Sequence, residues 1–183
     1  MNPNTREILL KGIPASPGIC HGPAMLFSQG QIDVPSYSIS EEEIESETKR
    51  LEEALLATRT EIVNIREQVS QSLGEGEALI FEAHLMVLED NALITEIIQY
   101  INQNKKNIEH CFNEVVDRYI NFFKTVEDEY LRERVSDIRD VSRRVLNNLL
   151  GNKQSNEELL DKKRIIVSED ISPSQAVGFD KDH

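Results

Sequence analysis

LGEGEALIFEAHLMVLEDNAL, spanning Leu73–Leu93, is the segment around which the rest of the chain is built. Between Glu77 and Asp90 the pattern predicts one helix, yet its apolar residues do not keep to one side. At about 100° per residue, Phe81 and Leu88 share a direction, Ile80 and Val87 a second, Leu79, Ala83 and Met86 a third, and Ala78 with Leu85 a fourth. A helix apolar on every side is either enclosed by other helices or keeps one flank for a partner. Its few polar side chains favour a mixture of the two: Glu82 and Glu89 fall on one edge, Glu77 and His84 on another. The expectation is a helix that is core on one face and contact surface on another.

Upstream, Ser40-Glu41-Glu42-Glu43 reads as a capping box, with Ile39 and Ile44 at the spacing of a hydrophobic staple, so a helix starts there. Its seam of Ile44, Leu51, Leu55, Ile62, Ile65 and Val69, with Thr48 and Thr58 filling the gaps, keeps a period of about 3.5 residues to Leu73. At 1.5 Å per residue that is a helix of roughly 50 Å, which needs a partner of similar length. The central helix and its continuation can supply it. Asp90 or Asn91 caps the continuation, in which Leu93, Ile94, Ile97, Ile98 and Ile101 form an amphipathic stripe.

Beyond a polar break at Asn104–Asn107, a third helix from Ile108 to Thr125 carries Ile108, Phe112, Val115, Tyr119, Phe122 and Phe123. A fourth, from Glu127 to Leu150, opens on acids and carries Arg143 and Arg144 nearer its end, as the helix dipole favours, and Gly151 stops it. Its buried line is expected to be Leu131, Val135, Ile138, Val145 and Leu149.

The two ends have a different character. Arg6–Phe27 is rich in Gly and Pro and reads as two short strands, one before Pro14 and one near Ala24–Phe27, with Ser16-Pro17-Gly18 as the turn between them. Ser28–Ser38 and Asn152–Lys163 are polar connectors, Arg164–Val167 is a strand, and Ser172-Pro173-Ser174 starts a helix. The fold class is therefore mainly α: a helical block over residues 40–150 inserted into an incomplete α/β subdomain formed by residues 1–30 and 160–183.

Charge narrows the functions. With 20 basic and 33 acidic residues the net charge is −13, spread over the helices rather than gathered in a tail. Nucleic acid is a poor partner for such a surface, whereas a basic protein would be steered toward it. Cys20 and Cys111 are far apart and lack metal-type spacing, which fits a reducing, cytoplasmic setting. No signal peptide and no run long enough to cross a bilayer is found, so no membrane insertion is expected.

The residues by themselves support little chemistry. A di-iron bundle needs Glu-x-x-His pairs on two helices, and Glu82-x-His84 and Glu109-His110 have the wrong spacing. There is no phosphate-binding Gly loop and no nucleophile with a recognisable base. His84 reads first as a hydrogen-bonded bundle histidine. Arg132, Arg134, Asp137 and Arg139 read first as salt-bridged surface residues at helical spacings.

Three segments together point further. GIPASPGICHGPA at 12–24, GEALIFEAHLMVLED at 76–90 and DEYLRERVSDIRDVSRRVLNNLLG at 128–151 resemble, in order and spacing, the N-terminal domain of the Enzyme I family, the phosphoenolpyruvate-protein phosphotransferases of the bacterial sugar phosphotransferase system. ISPSQAVGF at 171–179 is similar to a Ser/Thr-Pro-Ser stretch of the same family. The resemblance implies a four-helix-type subdomain that docks HPr, a small carrier protein with a basic rim around its active histidine, inserted into a phosphohistidine subdomain. It also implies that phosphoenolpyruvate and Mg²⁺ bind a C-terminal domain, so no cofactor is expected in this segment. The family's phosphorylated histidine lies in a Gly-Gly-x-Thr-Ser-His segment that this sequence does not reach; His183 lacks that context. No catalytic residue is therefore expected here, and the segment by itself is expected to be inactive.

Carried over residue by residue, the resemblance implies a partner site of Glu75, Leu79, Glu82, Met86, Val87 and Leu93 on the central helices, and Tyr130, Leu131, Arg134 and Arg139 on the fourth. Met86 and Leu79 would offer adaptable apolar area, and the carboxylates would meet the partner's Lys and Arg at the rim. The chain departs from the family at Asn91 and Ala92, where acids are expected, and at Gly76 beside Glu75. These changes imply a weaker electrostatic attraction or a differently charged partner. The alternatives are a paralogue serving nitrogen regulation or a specialised kinase system, or a non-enzymatic helical scaffold.

Overall fold

The capping box forms as expected: the Ser40 backbone N–H donates to Glu43 Oε2 at 2.7 Å. A single 3₁₀ turn, Glu41–Glu43, then passes into α1, Ile44–Ser72. In this computed structural model, residues 19, 21–27, 32–152, 165–168 and 171 are described, with the backbone alone over 129–133. At 29 residues α1 is about 44 Å long. Its inward line is Leu51, Ala54, Thr58, Ile62 and Val69, and Ile44, Leu55 and Ile65 pack beside it. Thr58 can sit fully buried in this seam because its hydroxyl donates to the Ala54 carbonyl one turn back.

Gly74, with φ of +118°, turns the chain after α1. The expected single central helix is instead two segments, α2 (Glu75–Ala78) and α3 (Ile80–Leu88). Leu79 between them keeps helical dihedrals, but its N–H bonds back to Gly76 and that of Glu82 to Leu79. These three-residue spacings tighten the turn and interrupt the regular ladder. Asp90 caps α4 (Asn91–Asn104), its Oδ1 accepting from Ala92 and Leu93 N–H. Lys105 in the left-handed region ends α4, and α5 (Ile108–Thr125) has the expected bounds. Of the apolar residues the pattern put on α5, Ile108, Phe112 and Val115 are buried and Phe122 is 65 % exposed; Cys111, Val116 and Ile120 are buried as well. α6 spans Glu129–Leu149, starting two residues later than the pattern implied.

α6 is the axis of the block. It packs against α1, α3 and α5, while α4 covers α5 and α2 leans on α1. The core is continuous, running through Leu51, Ile62, Phe81, Ile97, Ile101, Ile108, Val115, Val135, Val141 and Val145. A second, polar knot ties the start of α5 to α1. Glu47 of α1 accepts from the Ile108 N–H at 2.7 Å, supplying a partner that α5's own N-cap does not. Arg50 donates to Glu47 and Glu109, and Asn107 holds the approaching chain at Pro35 and Tyr37.

The ends of the insertion meet in a parallel pair. β1 (Ala24–Leu26) and β2 (Ile165–Val167) align Ala24 with Ile165 and Leu26 with Val167. The helical block thus departs from one strand and returns to its neighbour, the topology expected of an insertion. The strand before Pro14, the Ser16-Pro17-Gly18 turn, most of the second connector, the helix start at Ser172 and His183 lie outside the described residues.

Candidate docking face on α2 and α3

α3 divides its residues as the sequence implied. Phe81, His84 and Leu88 are buried, with the His84 ring edge-on to Phe81 at 5.4 Å between centroids. On the outer side Leu79 is 65 % and Met86 69 % exposed, two large apolar residues seven positions apart and therefore on the same side. Half-buried Glu82 lies between them in sequence, one turn from each, and Val87 is half-buried beside Met86. Glu75 is exposed and accepts from the Ser70 hydroxyl at 2.7 Å. An exposed apolar pair with carboxylates around it suits protein recognition.

The other expected site residues divide. Leu93 is only 8 % exposed: it continues the buried stripe of Ile97 and Ile101 and so belongs to the core rather than lining the face. Arg134 is half-buried near Asp137, at 3.9 Å. Arg139 is exposed but lies about 140° around α6 from Arg134, so the two do not share a side. The side chains of Tyr130 and Leu131 lie outside the described residues.

Two sets of partners were not anticipated. His84 Nε2 is 3.4 Å from Asp137 Oδ1 and its Nδ1 is 3.8 Å from Asp140 Oδ2, while Arg144 Nε reaches the same Asp140 oxygen at 3.7 Å. Arg144 extends to Glu61, so polar contacts run from α3 through α6 to α1. This is the bundle histidine that was expected, but it faces carboxylates, and its Nδ1 lacks a hydrogen-bond partner. Asp137, expected at the surface, is largely covered by this contact. The second set consists of two ion pairs, Arg66–Glu82 at 3.0 Å and Arg59–Glu89 at 2.8 Å. Their signal was in the sequence: the arginines are seven apart on α1, as are Glu82 on α3 and Glu89 at its C-terminal cap.

Among the described residues no group of three His, Cys, Asp or Glu side chains could hold a metal, and no helix is long and apolar enough to cross a membrane. What the geometry offers is an exposed apolar pair edged by carboxylates, carried by a helical block that follows one strand and precedes its parallel neighbour.

The family described as PEP-utilising enzyme, N-terminal, matches residues 11–134, and the chain belongs to it. Within that family its relatives are phosphoenolpyruvate-protein phosphotransferases. Those of Enterococcus faecalis and Priestia megaterium are each 40% identical, over 94% and 97% of this chain, and that of Haemophilus influenzae is 36% identical over 91%. The chain spans about 30% of the length of the curated relatives it matches. A solution NMR structure of Enzyme I is 34% identical, with a TM-score of 0.77 over 93% of this chain and 69% of that one. The N-terminal domain of Enzyme 1 - Nitrogen, at 20% identity and a TM-score of 0.62, shares the fold over 88% of this chain and 65% of that one.

Proposed function

We propose that this chain is the partner-docking part of an Enzyme I, a phosphoenolpyruvate-protein phosphotransferase serving sugar transport, and that the α2–α3 face receives an HPr-type phosphocarrier in the cytoplasm. The exposed Leu79–Met86 pair on a helix otherwise committed to the core carries this reading, because a bundle gains nothing in folding by leaving both in water. In the full protein a histidine outside this sequence takes the phosphoryl group from phosphoenolpyruvate, with Mg²⁺ bound in another domain, and hands it to the carrier's histidine. His84 does not serve as that carrier, being 1 % exposed and packed on Phe81.

Titrating isotope-labelled HPr-type protein with this chain should shift amides around the carrier's active histidine. Met86→Ala should weaken docking by about 1–2 kcal/mol, roughly five- to thirtyfold in Kd. Leu131→Asp should weaken it as well, with helicity retained in both variants. Unchanged binding in both would remove this site, and no shift at millimolar protein would remove the partner.

A further inference from the structure

Glu82, the carboxylate between Leu79 and Met86, is already engaged. Its Oε1 lies 3.0 Å from Arg66 Nη2, and one heptad on, Glu89 Oε1 accepts from Arg59 Nε at 2.8 Å. The pairing of 66 with 82 and 59 with 89 shows α1 and α3 running antiparallel, so equal steps along the two helices build a two-rung ladder along the α1 side of the docking face. The four side chains are between 40 and 55 % exposed, where an ion pair contributes little to folding. Glu75 differs, being held by the neutral Ser70 hydroxyl.

We propose that Arg66, with Arg59 behind it, is a built-in competitor for the partner's cations and sets how selectively the face accepts a basic partner. This rests on the docking reading above. A Lys or Arg arriving at the face gains Glu82 only by displacing Arg66, and exchanging one cation for another yields little. The face therefore answers mainly to partners that also cover Leu79 and Met86, and a protein that is merely basic is held poorly. Long-range steering by the net charge of −13 survives this arrangement, because Arg66 cancels only the local pair.

The experiment is a mutant cycle read by titration of an HPr-type phosphocarrier at two salt concentrations, with circular dichroism to check the fold. Arg66→Gln frees Glu82 and should tighten binding roughly twofold to fivefold, with steeper salt dependence. Introduced into the Arg66→Gln background, Glu82→Gln should abolish that gain. Lys49→Gln removes the same charge from a pair with Glu53, 17 residues away on α1, about 25 Å and several screening lengths distant. It should leave affinity within about 1.5-fold. Equal effects of Arg66→Gln and Lys49→Gln, or weaker binding by Arg66→Gln, would overturn the competitor while leaving the docking face in place. Failure of the native chain to bind, by contrast, removes the docking reading and this one with it.

Discussion

Arg50 stands between two carboxylates that water barely reaches, Glu47 at 8 % and Glu109 at 3 % exposure. It donates to both, and its second nitrogen also meets the Leu149 carbonyl at 3.3 Å. Arg50→Ala would leave two buried charges without their cation and should destabilise the fold by about 3 kcal/mol, read as a drop in the urea midpoint. Arg59→Ala, which breaks only an exposed pair, should cost about 0.5 kcal/mol or less. Cys111 gives a pH test. Burial raises its thiol from the ordinary 9.0 to about 11, helped by the carboxylates of Glu47 and Glu109. The unfolded chain therefore ionises first. The stability contributed by the protonated thiol is complete below pH 9 and is lost as pH rises through 11. Cys111→Ala should flatten the fall in stability across that window, and the native thiol should resist alkylation at pH 8 until denaturant is added.

The helix ends test how local chemistry sets the elements. Asp90 satisfies two N–H groups at the start of α4, so Asp90→Ala should cost about 1 kcal/mol, measured by denaturant unfolding. Its neighbours explain why the sequence pattern located this helix: the cap and the Leu93–Ile97–Ile101 stripe agree. Agreement fails at the central segment. Its apolar residues point every way, so periodicity could not show the interruption at Leu79, which comes from two tightened backbone bonds. Phe122 has the spacing of the buried Ile108–Phe112–Val115 line but stands exposed in the last turn of α5, where spacing alone does not fix burial.

The chain carries a net charge of −13, and the carboxylates Glu82 and Glu89 near its exposed Leu79–Met86 pair are partly neutralised by Arg66 and Arg59. Docking should weaken as salt rises, because rim charges are screened over about 8 Å at physiological ionic strength. The slope should be modest while Arg66 holds Glu82. A titration series between low and high salt checks this, and salt-independent binding would mean that apolar contact alone holds the partner. The candidate site was legible where exposure followed from helical spacing, as at Leu79 and Met86. It was not legible at Leu93, whose role depends on which way α4 packs, nor for Arg139, which shares a helix with Arg134 but not a side.

Capping residues, seam periodicity and Gly151 already determined where most helices begin and end, because those effects act within a turn or two of chain. Composition likewise fixed the net charge of −13. Which apolar faces close on one another was decided only by tertiary packing, since α3 offers several and the bundle covers all but one. The same packing put Arg66 against Glu82, a contact between residues on different helices that no local rule specifies.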